Sequence, residues 1–346
     1  MKFWKRGDTG LAAQAVQLRS REAHPFAQLR NFTPQRSGEL RLYQAVREAV
    51  PVVDAAVCKL IRLSGGVKVL CDDLETQTAL RTFLERVNAG RGQHGIEAFL
   101  SQYLDSLLVY GGAVGEMVPA AGNRTLAALL CGRLEQVELR EGESPLDFRI
   151  CGPDEHGSMA ELPYQELLLF TPLHPEAAHP YGVSMLRGIP FMADILMKIY
   201  HTIGVNWERC GNVRFAVTCR DGEGSAAQRG QVLAQEWSRA MQETRSGDVR
   251  DLVAVGDVDI RVIGADAPVL DSQVPVRQVM EQIVAKTGIP PFMLGLNWNS
   301  TERMSAQQAD MLTTEITALR RTLTPMVEKI CRMWLRMQGS TETVTV

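Results

Sequence analysis

The chain has 346 residues, 45% of them hydrophobic and 22% charged, which excludes wholesale disorder. Basic and acidic residues, 37 against 40, leave a formal charge of -3, so the protein does not coat nucleic acid by bulk basicity. Aromatics are scarce at 6% while Met reaches 14 residues, which favours helix packing over an aromatic-cored β-sandwich. Seven cysteines are scattered without any C-x-x-C, so reduced thiols are expected rather than a disulfide framework or a structural zinc site. No long uncharged apolar run predicts a membrane helix, and MKFWKRGDTG has no apolar run behind it to make a signal peptide. The expectation is a soluble, intracellular protein of several parts.

Residues 1–38 read as a basic arm, with Lys2, Lys5, Arg6, Arg19, Arg21, Arg30 and Arg36 against Asp8 and Glu22. Such an arm is either flexible and solvated or a contact for DNA or an acidic partner surface. From Glu39 the pattern turns helical: Leu40, Tyr43, Val46, Val50, Val53, Val57 and Ile61 recur at steps of three and four. Pro51 should bend this helix, and Ser64-Gly65-Gly66 should end it. Two more helices are predicted near 75–88 and 95–110. Gly111-Gly112 stops the second of these, and runs at 113–119, 126–131, 136–140, 148–151 and 166–171 read as strands of a modest sheet.

A Pro- and His-bearing loop at 173–180 leads into a long helix over 183–210. Arg187, Asp194, Lys198 and His201 fall on one polar stripe of it, while Leu186, Phe191, Ile195, Ile199 and Ile203 belong to the apolar remainder. A helix apolar around most of its girth must be covered on several sides, by a domain core or by copies of itself. Pro190 should kink it early. Residues 211–270 read as a small αβ insertion: a strand at 213–219, a glycine-rich turn at 221–224, a helix near 227–244, and strands at 252–255 and 260–263. A helix over 275–287 stops at Gly288. A polar loop, Asn297-Trp298-Asn299-Ser300-Thr301, then precedes a last helix. That helix carries Leu312, Ile316, Leu319, Leu323, Met326, Ile330, Met333 and Met337 as a heptad seam interrupted by Pro325, with Ser305 and Gln308 as a capping box.

The usual catalytic signatures are missing. There is no H-E-x-x-H, no G-x-S-x-G, no Walker loop, and no G-x-G-x-x-G between a strand and a helix. Gly111-Gly112-Ala113-Val114-Gly115 follows a helix instead of preceding one, so it reads as a helix stop entering a strand. His174 and His179 with Glu176 stay open as a metal site of an enzyme, against the reading of an exposed, solvated loop.

Four segments, in order, resemble the portal (head–tail connector) proteins of tailed bacteriophages. Tyr110-Gly111-Gly112-Ala113-Val114-Gly115-Glu116 is similar to the family's helix-to-strand passage "YGNAYxE". Pro180-Tyr181-Gly182-Val183-Ser184-Met185-Leu186 is similar to "xxGxSPL", with Met185 where the family has Pro. Thr287-Gly288-Ile289-Pro290-Pro291-Phe292-Met293-Leu294-Gly295 is similar to "FGVPPxLLG", and Thr322-Leu323-Thr324-Pro325 to "TLxP". The likeness spans roughly 40–337.

The resemblance implies an α+β, mainly helical portal fold with a wing (39–182), a stem helix (183–210), a clip (211–270) and a second stem helix (271–290). A tunnel loop (291–303) and a C-terminal helix (304–346) for the wing and a reduced crown complete it. It implies a non-enzymatic dodecameric ring at one capsid vertex that conducts double-stranded DNA in packaging and ejection and needs no cofactor. Expected partners are further copies of the chain, the large terminase, the major capsid or scaffolding protein and a head–tail adaptor. The expected location is the virion, with assembly in the host cytoplasm. Asn297, Trp298, Asn299, Ser300, Thr301 and Glu302 would line the channel, and Leu186, Phe191, Ile195, Ile199 and Ile203 would pack between subunits. The near-neutral charge fits a channel that passes DNA without holding it, because phosphate contacts add and a basic ring would act as a brake. The rival reading is a cytoplasmic helical scaffold that oligomerises without DNA.

Overall fold

The computed structural model describes residues 37–142, 147–154, 156–177, 179–211, 214–219, 235, 258–263, 271–296, 298 and 302–346. The chain divides into two compact units. One comprises the residues up to Ile195 together with Gln278–Val346, and the other is Leu196–Arg277. The basic arm expected at 1–38 lies, but for its last two residues, outside the described residues.

In the first unit the expected bent helix is two helices, α1 (Ser37–Ala49) and α2 (Pro51–Ser64). Val50 between them is extended at φ -117° and ψ 96°. Proline carries no amide hydrogen and disfavours the helical conformation in the residue before it, so Pro51 begins a helix instead of bending one. The expected periodic residues Leu40, Tyr43, Val46, Val50, Val53 and Val57 are buried, and α2 adds Ala56 and Leu60. The carbonyls left open at the end of α2 are gripped from far along the chain. The Arg320 guanidinium donates to the oxygens of Leu63, Ser64 and Gly65 at 2.9, 3.3 and 3.1 Å, which satisfies acceptors that a helix end cannot pair itself.

Helix α3 (Leu74–Arg86) starts at Asp73, whose carboxylate accepts the Thr76 amide at 2.7 Å. Helix α4 (Ile96–Tyr110) is the centre of the unit. Phe99, Leu100, Tyr103, Leu104, Leu107, Leu108 and Val109 bury most of its circumference. Among the described residues, the sheets of this unit are small. Strands β2 (Gly112–Pro119), β3 (Leu126–Gly132) and β7 (Leu168–Pro172) form one sheet in the order β3-β2-β7, antiparallel throughout. Strands β4 (Glu138–Glu141), β5 (Phe148–Pro153) and β6 (Met159–Glu161) form another. The runs expected at 136–140 and 166–171 lose their first residues to one-turn 3₁₀ helices at Leu134–Gln136 and Gln165–Leu167. Three short strands escaped the sequence reading: β6, and β1 (Leu70–Cys71) paired with β10 (Val344–Thr345), all too short to show an alternation.

The long helix α5 (Ile189–Gly211) begins six residues later than expected. Pro190 therefore sits in its first turn, where a missing amide costs nothing, and the expected kink has no cause. In the second unit, β8 (Arg214–Cys219) and β9 (Val258–Ile263) pair as an antiparallel ladder from Arg214 opposite Ile263 to Cys219 opposite Val258. These match the outer strands of the expected insertion. The turn at 221–224 and the strand at 252–255 lie outside the described residues, as does the expected helix near 227–244 apart from Gln235.

Helix α6 (Gln273–Thr287) leads back into the first unit. Helix α7 (Glu302–Met337) then runs for 36 residues without a break at Pro325, so the expected interruption is absent. It begins three residues before Ser305, so Ser305 is no N-cap and the proposed capping box is not one. The C-terminal half of α7 is buried more broadly than a heptad seam. Val327, Cys331, Trp334 and Leu335 join Met326 and Ile330, and Trp334 stacks on Phe83 with ring centroids 5.3 Å apart.

Gly111 closes α4 in the left-handed conformation at φ 83°, and a Cβ there would overlap the Ser184 amide nitrogen and the Val183 carbonyl carbon. Gly122 has a similar φ of 88° but open space around it. Gly122→Ala should therefore cost about 1 kcal/mol of left-handed strain. Gly111→Ala should cost about 3 kcal/mol or more, because backbone must also move. Chemical denaturation of both variants checks this; equal losses would show that the close approach contributes nothing.

Candidate functional site

Two of the motif segments meet. The 180–186 segment folds over the C-terminal end of α4 and supplies donors to open carbonyls there. Leu107 accepts the Gly111 amide at 3.0 Å, Leu108 accepts the Met185 amide at 3.1 Å, and Val109 accepts the Ser184 hydroxyl at 2.6 Å. The same hydroxyl accepts the Leu186 amide at 2.9 Å. Leu173 donates to the Gly111 carbonyl at 2.9 Å, and Val183 donates to the Leu173 carbonyl at 2.7 Å. Gly182, at φ 102°, passes so close that a Cβ would overlap the Gly111 carbonyl oxygen. The glycines permit contact between backbones, and the serine stitches it. Beneath the junction, the buried Tyr103 hydroxyl donates at 3.0 Å to Ala113 and lies 2.9 Å from the Thr171 hydroxyl, and burial pushes its pKa up. Ser106 donates to the Gly112 carbonyl at 3.0 Å.

Leu186 lies in the turn ahead of α5 and is completely buried. It cannot pack between subunits as expected, because its own fold already encloses it. Phe191, Ile195, Ile199 and Ile203 do lie on α5 and are half-buried. The apolar side chains that α5 exposes most are others: Met197 at 48%, Tyr200 at 47%, Val205 at 40% and Trp207 at 69%. Sequence alone missed them as a face because a helix apolar nearly all round does not declare which side its own chain will cover.

Of the expected channel residues, Trp298 is half-buried, with its amide donating to Leu296 at 3.1 Å, and Glu302 is the exposed first residue of α7. Asn297, Asn299, Ser300 and Thr301 lie outside the described residues. The Thr287–Gly295 motif is a helix end followed by a 3₁₀ turn at Pro291–Leu294, with Gly295 closing it in the left-handed conformation at φ 77°.

A groove of about 520 Å³ brings motif segments together. Ser184, Met185, Thr287 and Gly288 line it together with Leu312 and Ile316 of α7. At its edge the Arg187 guanidinium grips Glu176 with two hydrogen bonds of 2.7 and 3.1 Å, and His179 stands 4.0 Å from the same carboxylate. Lys286 on the rim has its pKa lowered by burial and by the Arg187 charge. The His174–His179–Glu176 metal reading finds no support in this arrangement, since the carboxylate is engaged by a cation. Among the described residues no three His, Cys, Asp or Glu groups converge as metal ligands. Nor is any described helix long and apolar enough to cross a membrane.

The hydrogen bonds from Arg187 hold the Glu176 carboxyl below its ordinary range. A depressed folded-state pKa gives stability that is present above the unfolded carboxylate value, about 4.3, and lost as pH falls through the folded one. Glu176→Gln should therefore lower the melting temperature at neutral pH, and the two proteins should converge only as the pH falls through the depressed folded-state value, below the unfolded value of about 4.3. Circular-dichroism melts across pH check this, and a constant offset down to low pH would assign the loss to packing instead.

No protein-family model and no curated protein matches the sequence. Solved structures match in fold. A chain in the neck of an empty gene transfer agent particle, computed with C6 symmetry, superposes with a TM-score of 0.68 at 16% identity, over 90% of this chain and 84% of that one. A chain in the neck of the native particle, computed with C12 symmetry, gives 0.63 at 15% identity over 85% and 79%. An HK97-family phage portal protein from Corynebacterium diphtheriae gives 0.44 at 10% identity over 78% and 84%, too loose a superposition to carry weight. At such identities the likeness is one of fold. The chain thus has the fold of a chain in the neck of a gene transfer agent particle.

Proposed function

We propose that the protein is a portal subunit: a structural, non-enzymatic chain that assembles into a ring, as a dodecamer, at one vertex of a phage or phage-like capsid. Its ring conducts double-stranded DNA during packaging and ejection. It also docks the large terminase, meets the capsid or scaffolding protein, and later carries a head–tail adaptor. In this reading 39–182 with 304–346 is the wing and reduced crown, and 183–210 and 271–290 are the stem. Residues 211–270 are the clip, and 291–303 with Asn297 to Glu302 the tunnel loop.

The observation that carries the reading is the superposition on neck chains over nine-tenths of this chain, at a TM-score of 0.68. The C12 and C6 symmetries applied to those necks both divide a ring of twelve. The physics of α5 supports assembly. Met197, Tyr200, Val205 and Trp207 present apolar surface to solvent in the single chain. An exposed aromatic and aliphatic face of this kind marks a protein contact, and a neighbouring copy would cover it.

Mass photometry tests the assembly. Twelve copies of a 38.3 kDa chain give about 460 kDa. Tyr200→Asp should collapse this species towards monomer while the melting of the first unit stays unchanged, because a charge would enter a desolvated contact. A wild-type protein that is monomeric at every concentration and under packaging conditions would overturn the proposal. The channel is tested separately. Lysines placed at 297–301 should leave rings intact but slow DNA passage, and their effect should weaken as salt rises. Unchanged packaging rates would remove the loop from the channel wall.

A further inference from the structure

A second groove, of about 620 Å³, lies in the first unit between β5, β7 and α7, away from the junction described above. Its lining is mainly apolar, with Phe148, Phe170, Pro172, Pro175, Pro325 and Met326, and its charged groups are Asp147, Arg149, Glu166 and Lys329. The rings of Phe148 and Phe170 stand edge to face, with centroids 5.3 Å apart. Beneath the groove Leu139, Ile150 and Leu168 form a small buried cluster. The Gln165 amide fixes β5 to that floor, donating to the Ile150 carbonyl at 2.8 Å and accepting its amide at 3.0 Å.

Two features of this groove are incomplete. The first is a charge. The Lys329 ammonium is half-buried in the groove and makes one hydrogen bond, to the Leu168 carbonyl at 2.6 Å. Among the described residues no carboxylate lies within ion-pairing distance of it. Arg149, the other cation of the lining, sits 3.8 Å from Asp147 and 3.6 Å from Glu161. Glu166 is exposed at the rim and acts on Lys329 only at longer range. Burial pushes the Lys329 pKa down, as it does for an ammonium without a counter-ion.

The second feature is a strand edge. β7 pairs with β2 alone. Leu173 donates to Gly111, so the alternation of an antiparallel ladder turns the main-chain groups of Leu169 and Thr171 toward β2. Those of Leu168, Phe170 and Pro172 then face away, along the groove. Lys329 takes the Leu168 carbonyl, and Pro172 has no amide. Phe170 keeps both an amide and a carbonyl without a ladder partner among the described residues.

We propose that this groove docks an extended segment of a partner protein that carries a carboxylate among apolar side chains. The carboxylate pairs with Lys329, an apolar neighbour lies against Phe148 and Phe170, and the segment's main chain pairs with Phe170 as an added strand. A half-buried cation selects the sign of the occupant, and the aromatic and proline walls select its apolar flanks. The inference rests on the first unit alone and does not require the portal reading.

Fluorescence polarisation of the full-length protein tests it, with a fluorescein-labelled heptapeptide Val-Thr-Val-Glu-Val-Thr-Val as probe. Saturable binding is expected. Replacing the central Glu by Gln should weaken it about tenfold or more, and Lys329→Met about thirtyfold or more. Lys329→Met protein should no longer distinguish the Glu peptide from the Gln peptide. N-methylation of alternate peptide amides should abolish binding, and Phe148→Ala, at the groove mouth, should reduce it. The wild-type comparison of Glu, Gln and N-methyl peptides needs no variant protein, so a folding defect in Lys329→Met cannot hide the answer. No saturable binding, or equal affinity for the Glu and Gln peptides, would overturn the proposal. A change in oligomeric mass on Lys329→Met, without peptide binding to the wild type, would also overturn it and give the groove to a second copy of the chain.

Discussion

The fold turns on one place where backbone touches backbone. At the C-terminal end of α4, Gly111 and Gly182 approach too closely for any side chain to intervene. The carbonyls of Leu107, Leu108, Val109 and Gly111 are all satisfied there by amides or by the Ser184 hydroxyl. A helix end has open acceptors whatever its sequence, and burying them unpaired would cost about 1–3 kcal/mol each. Here the segment that leads to the long helix α5 supplies the donors. One set of hydrogen bonds therefore closes the central helix, anchors the edge of the β3-β2-β7 sheet and fixes where α5 departs. That coupling explains why two segments some 70 residues apart both need glycine, and why a serine stands between the second glycine and the helix.

The surface left over after folding has two characters. Along α5 it combines large apolar side chains, Met197, Tyr200, Val205 and Trp207, with the exposed polar stripe of Asp194, Lys198 and His201. In the groove beside β7 it is apolar with one half-buried ammonium and one open rung of strand. The first suits a broad contact between like copies, in which large side chains exclude water. The second suits a narrow extended segment, because only a strand can use main-chain groups and a counter-charge together. Both lie on elements whose cores are already complete: Leu186 is enclosed before α5 begins, and Leu168 is buried beneath the groove. Association can therefore use these surfaces without unfolding what supports them.

Much of the architecture was legible from residue pattern because its causes are local. Steps of three and four marked the span that became α1 and α2 and the whole of α7, and Gly111-Gly112 marked the passage from helix to strand. The strands at 113–119 and 126–131 stood out because they are long enough to show apolar runs. The misses also have local causes. Pro51 and Pro190 were read as bends inside helices, whereas proline's lost amide and its effect on the preceding residue make each a helix start. Pro325 was read as an interruption, yet packing on both sides carries α7 through it. Strands β1, β6 and β10 are too short for period-two alternation to rise above chance, and β1 pairs with a strand about 270 residues away.

By itself, then, the sequence determined most of the helices and the longer strands and carried no familiar catalytic signature, because both follow from side-chain type and spacing along the chain. The four motif segments rest on resemblance alone. Only the tertiary structure decided that two of those segments are partners at one backbone junction, that Leu186 is interior, and that Met197, Tyr200, Val205 and Trp207 are the outward face of α5. It alone placed Lys329 beside an open strand edge in an apolar groove. Exposure and charge compensation depend on what the rest of the chain brings alongside, and no spacing rule along one helix contains that information.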